Sequence, residues 1–176
     1  MPFFSELLSI VIVTVAIGYI FSGLIKFPFI KKSKYDILKF SMLVSAPAVI
    51  LHELAHKFIA IILGLKATFF ASYTGLAIGV FLKLIHSPFI VLVPGFVSIS
   101  PTTPLNSSMV AFAGPFTNLL LWITATLLLK QKNISNKTIL FLAYTKRINL
   151  ILFIFNMIPF GPLDGAKVFS GLFSLF

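Results

Sequence analysis

Of the chain's 176 residues, 59% are hydrophobic and only 10% are charged. A soluble domain carries about 25% charged residues, so this composition excludes a water-soluble globule and marks an integral membrane protein. The net charge of +10 comes from Lys and Arg, mostly in short connections between apolar runs. It reads as orientation signal and headgroup contact, with no sign of a nucleic-acid partner. Cys is absent, which excludes disulfides and thiolate metal sites.

Taken in chain order, residues 7–25 are long enough to cross a bilayer as one helix. No Lys or Arg precedes Lys26, so the segment lacks the positive start of a signal peptide and reads as a membrane anchor. Residues 26–39 hold five Lys in a wet, basic connection. Residues 40–65 form the second span, and Pro47 is expected to kink it just before His52. Residues 66–106 are punctuated by Gly and Pro. Their short runs rich in Phe, Ile, Val and Thr, such as Ala67–Tyr73 and Phe89–Val93, read as strands or a re-entrant hairpin. Residues 108–129 form the third span, and residues 130–137 a polar turn.

The last segment has two readings. Either 138–160 spans with Lys146-Arg147 inside it, or 148–176 spans and is broken at 159–162. The second is preferred because it keeps that charge pair out of the hydrocarbon. The expected fold is an all-α polytopic membrane protein with about four transmembrane segments in one membrane-embedded domain, 1–176.

Within the second span lies Leu51-His52-Glu53-Leu54-Ala55-His56. On a helix His52 and His56 are one turn apart on one face. Two imidazoles at that spacing reach a single zinc ion, and Glu53 beside them suits a general base for the activated water. Three ionisable residues within five positions of an apolar span require a functional reason. A hydrolytic zinc site uses a third protein ligand. The chain has four acidic residues, and Glu6 and Asp36 both fall where an interface suffices to explain them. Asp164, between apolar stretches in Pro159-Phe160-Gly161-Pro162-Leu163-Asp164-Gly165, needs a cation partner and is the best third ligand by elimination.

Depth supports one shared site. At 1.5 Å per residue, His52 lies about 18 Å from the Lys-rich edge near residue 40. Asp164 lies about 24 Å from the edge near residue 147, less if the Pro/Gly break shortens the path. Asn118 lies about 17 Å from the edge near residue 129.

These residues carry a family resemblance. His52-Glu53-Leu54-Ala55-His56, Gly114-Pro115-Phe116-Thr117-Asn118, and Asn156-Met157-Ile158-Pro159 leading to Leu163-Asp164-Gly165 follow one another in the order seen in the site-2 proteases, which are intramembrane zinc metalloproteases. Over roughly residues 40–170 the chain resembles that family's three-span catalytic core. The resemblance implies one zinc ion bound by His52, His56 and Asp164, with Glu53 as catalytic base. It implies that Asn156 helps hold the substrate or polarise its carbonyl, and that Asn118 lines the site. The implied reaction is hydrolysis of peptide bonds within or near transmembrane helices of another protein, as in regulated intramembrane proteolysis. The partners are then that transmembrane substrate and the lipid bilayer, and the setting is the cell membrane of a prokaryote. A substrate helix must unwind before attack, and the strand-like region 67–100 could hold the unwound peptide by strand addition. The charge count puts residues 26–39 and 130–137 in the cytoplasm and the N-terminus outside, opening the site nearer the outer half of the membrane, whereas the resemblance implies a site open to the cytoplasm. The alternative function is a non-catalytic membrane scaffold or metal-binding protein that keeps the protease fold. Glu53 argues against it, since a structural metal site needs no base.

Overall fold

Among the described residues of the computed structural model, four helices are long and apolar enough to cross a membrane, and the chain is a multi-pass, all-α membrane protein. The structure describes residues 2–27, 32–87 and 93–174. In chain order the elements are α1 (Pro2–Phe21), α2 (Lys34–Ile62), β1 (Ala67–Ala71), α3 (Tyr73–Leu84), β2 (Gly95–Ile99), α4 (Pro104–Leu128), α5 (Asn136–Asn156) and α6 (Asp164–Phe173). The described residues group into two compact units. One comprises the chain up to Ile50 with Thr68–Ser98, and the other comprises Leu51–Ala67 with the chain from Ile99 onward.

In the first unit α1 packs on α3. Ser9, Val13, Ile17 and Ile20 of α1 are buried, at steps of four, four and three residues, while Phe3, Leu7, Val11 and Val15 are exposed. Apart from Ser9 both stripes are apolar, as expected of a helix whose outer face meets lipid rather than water. Lys83 of α3 reaches back to α1, where its ammonium lies over the Tyr19 ring, 3.5 Å from the centroid. It also bonds Ser22 Oγ and the Tyr19 carbonyl.

The segment expected as strands or a re-entrant hairpin contains a helix as well. Ser72 caps α3 by accepting the Gly75 N–H (3.2 Å). Gly75, read as a breaker in the sequence, instead lets the first turn of α3 approach the Val93 carbonyl, where a Cβ would collide. The run Ala67–Tyr73 begins with β1. The run Phe89–Val93 falls almost wholly on residues 88–92, outside the described residues. β2 lies beyond it, after Pro94.

β1 and β2 form one two-stranded sheet. The Ser72 N–H bonds the Pro94 carbonyl at one end and the Ser100 N–H bonds the Lys66 carbonyl at the other, both at 3.0 Å. This sets an antiparallel register with Phe69 opposite Val97. Antiparallel pairs alternate between bonded and non-bonded, so Phe69 turns its N–H away from β2. That outward N–H is met by Glu6 of α1, whose Oε1 accepts it at 2.9 Å.

In the second unit α4 packs against both α5 and α6. Ser108 Oγ donates to the Val168 carbonyl at 2.9 Å. Gly171 has no room for a side chain against Ser108 and the Pro104 carbonyl, so α6 lies close on the start of α4. The final part of the chain departs from the preferred reading of a span over 148–176. The long helix is α5, which starts at Asn136, just after Ser135, whose side chain caps it by accepting the Thr138 N–H. The break covers residues 157–163, ahead of the short α6. Lys146 and Arg147 lie in the middle of α5, with Arg147 exposed. Long basic side chains tolerate such positions by extending their charged ends toward polar surroundings.

Candidate metal centre

Helix α2 continues through Pro47 and past the histidine pair without interruption. His52, Glu53 and His56 are all buried. The imidazoles stack edge to face with centroids 4.7 Å apart, and their Nε2 atoms are 3.1 Å from each other. Asp164, the first residue of α6, directs Oδ2 at the same point, 3.1 Å from His52 Nε2 and 3.4 Å from His56 Nε2. The N-cap position of α6 is Leu163, so the Asp164 carboxylate is not used as the helix cap. Glycines permit these approaches. A Cβ on Gly114 of α4 would lie 2.5 Å from His56 Nε2 and 2.7 Å from His52 Cε1. A Cβ on Gly165 would lie 2.5 Å from the Met157 and Ile158 carbonyls, against which the start of α6 is seated.

The other ring nitrogens are already bonded. His56 Nδ1 lies 2.7 Å from the Val110 carbonyl, which can only accept, so His56 carries its proton on Nδ1. His52 Nδ1 lies 2.7 Å from Asn118 Oδ1. With Nδ1 protonated on both rings, each neutral imidazole presents a bare lone pair at Nε2. Three acceptors, two nitrogens and a carboxylate oxygen, therefore face one another at 3.1 to 3.4 Å. A single metal ion at the centre of this triangle would satisfy all three acceptors at once. Tetrahedral donors about 2.0–2.1 Å from one ion lie about 3.3 Å apart, and the observed spacings match. Two His and one Asp, with no thiolate, form a donor set of the hydrolytic zinc type. Among the described residues this is the one group of three such side chains able to hold a metal ion.

Glu53 lies within electrostatic reach of His52, Asp164 and Lys167. Asn118 is fully buried, with Oδ1 toward His52 and Nδ2 toward Asn149 Oδ1 (2.8 Å). Asn156 is the last residue of α5, and its Nδ2 donates to the Leu152 carbonyl of its own helix at 3.0 Å rather than to the cluster. An open groove beside Leu51, Leu54, Lys57, Phe58 and Ile61 of α2 and Thr117 of α4 is mostly apolar.

No family model matches the chain. A Methanocaldococcus jannaschii protein, provisionally named a zinc metalloprotease, is 33% identical over 167 residues, covering 93% of this chain and 82% of that relative. The chain belongs to this zinc metalloprotease family. For a zinc metalloprotease, the parts of the site that the motifs do not reveal are the supports of its histidines. The Val110 carbonyl is backbone and leaves no trace in a sequence. Asn149 had a readable signal, being an amide within the apolar run 148–155, one helical turn beyond Thr145.

Proposed function

We propose that this zinc metalloprotease is an intramembrane endopeptidase of the site-2 protease family. It cleaves peptide bonds within or near transmembrane helices of other proteins, as in regulated intramembrane proteolysis, in a prokaryotic cell membrane. The observation that carries the reading is the triangle of acceptors formed by His52 Nε2, His56 Nε2 and Asp164 Oδ2, set in a chain whose described residues include four helices apolar enough to cross a bilayer. In this reading those three residues hold the ion. A zinc ion there supplies Lewis acidity, which makes a water nucleophilic near neutral pH and polarises a carbonyl.

The chain's own residues do the rest. Glu53 takes a proton from the attacking water and returns it to the amine that leaves when the C–N bond breaks. Asn118 supports His52 and has no free amide group to offer the substrate. Asn156 serves the substrate through the Nδ2 hydrogen that does not bond the Leu152 carbonyl or through its Oδ1. An unwound substrate needs partners for its freed backbone groups. The outer edge of β2 is a candidate, since Glu6 already occupies the outward Phe69 N–H of β1. By the same register the Val97 N–H points outward, so Val97→Pro removes an edge donor while sparing the β1–β2 ladder. Unchanged cleavage by Val97→Pro would remove the sheet edge from the mechanism.

The direct experiment is cleavage of a helix-destabilised transmembrane substrate in detergent or vesicles. Wild type is expected to cut it, and Glu53→Gln to bind zinc normally yet cut about 100- to 10,000-fold more slowly. Equal cleavage by both proteins would refute the reading.

A further inference from the structure

The polar chain behind His52 does not stop at Asn118. Asn149 of α5 is 1% exposed. It accepts from Asn118 Nδ2 at 2.8 Å and donates through its own Nδ2 to the Thr145 carbonyl at 2.8 Å. Each link has a fixed polarity. The Thr145 carbonyl can only accept, so the end of the Asn149 amide facing it must be the NH2 group, which turns Asn149 Oδ1 toward Asn118. Asn118 must then present its own NH2 to Asn149 and its oxygen to His52. His52 must therefore hold its proton on Nδ1 and leave Nε2 bare. Reversing either amide would bring two oxygens face to face in a buried setting.

Resting on the zinc reading above, we propose that Asn149 is a positioning residue of the metal site. Through Asn118 it locks the tautomer and orientation of His52, with the Thr145 backbone carbonyl as anchor. Without Asn149, Asn118 Nδ2 loses the Oδ1 acceptor that sets the polarity of its amide toward His52. In its rotated state the amide offers N–H to His52 Nδ1, drives the ring proton onto Nε2 and blocks that ligand. His56 depends on the Val110 carbonyl instead and serves as an internal control, because a backbone carbonyl cannot rotate its polarity.

The test uses the full chain purified in detergent, with zinc affinity measured by chelator competition. Asn149→Leu is expected to weaken zinc about 10- to 100-fold, the range typical of partners that orient metal ligands. Asn118→Leu should do the same, and the double variant should be no weaker than Asn118→Leu alone. Losses that multiply in the double variant would overturn the proposal, since two independent packing defects behave that way. A second readout needs no metal. In the zinc-free protein, nitrogen-15 NMR of labelled histidine should find His52 protonated on Nδ1 in wild type and mixed between tautomers in Asn149→Leu, with His56 unchanged in both. Asn149→Ser keeps a group able to bond the Thr145 carbonyl but is too short to reach Asn118, so it should give the same shift without a large packing defect. Wild-type zinc affinity and an unchanged His52 tautomer in either variant would overturn the proposal. If wild type bound no zinc the zinc reading would fall, while the NMR comparison would still decide whether Asn149 positions His52.

Discussion

Two carboxylates of this chain, Glu6 and Asp164, meet opposite partners. Glu6 of α1 faces a backbone N–H, that of Phe69, at 2.9 Å. Asp164 of α6 faces two imidazole nitrogens whose protons are on the far side of each ring. A carboxylate given a donor is satisfied where it stands, and its role is to close a strand edge. A carboxylate pressed against two further acceptors is complete only with a cation. The same residue chemistry thus supports structure in one unit and a candidate metal site in the other, and the difference lies in which way the neighbouring hydrogens point.

The comparison can be broken most forcefully at Asp164. Asp164→Asn should reduce zinc affinity by more than the roughly 100-fold upper range seen for outer partners and abolish cleavage, and equilibrium dialysis against labelled zinc measures the loss. Next in size is Gly114→Ala. Its methyl would stand 2.5 Å from His56 Nε2, so the rings must move and zinc should weaken about 10- to 100-fold. Gly64→Ala is the matched control. Gly64 has φ of +75° with nothing within 4 Å of a Cβ, so that change should lower stability by about 1–2 kcal/mol and leave zinc affinity alone. Glu6→Ala should be milder for function still. It leaves the Phe69 N–H without its acceptor and should lower unfolding free energy by about 1–3 kcal/mol with zinc binding unchanged, whereas Glu6→Gln keeps an acceptor and should stay near wild type. A clear zinc defect in Glu6→Ala would erase the distinction between the two carboxylates.

How far the sequence carried the reading follows the same division. The long apolar runs and the three motifs could be read directly, because hydrocarbon thickness dictates span length and buried charge is too costly to be casual. The start of α5 is not legible, because the Lys146-Arg147 pair argues against a span there, while the structure leaves Arg147 exposed in the middle of the helix. The helix α3 was hidden by Gly75 and Gly79, which resemble breakers. Gly75 serves close packing and Ser72 supplies the cap. At the site, His52, His56 and Asp164 follow from motif and elimination. The polarity that strips protons from both Nε2 atoms depends on the Val110 and Thr145 carbonyls, and backbone groups carry no sequence signature.

The central claim is that the triangle of His52, His56 and Asp164 is complete only with a metal ion. Its most direct test is elemental analysis of the purified full chain beside Asp164→Asn and Glu53→Gln. The account predicts one zinc per chain in wild type and in Glu53→Gln, and almost none in Asp164→Asn. A wild-type protein without zinc, or an Asp164→Asn protein that retains it fully, would contradict the account.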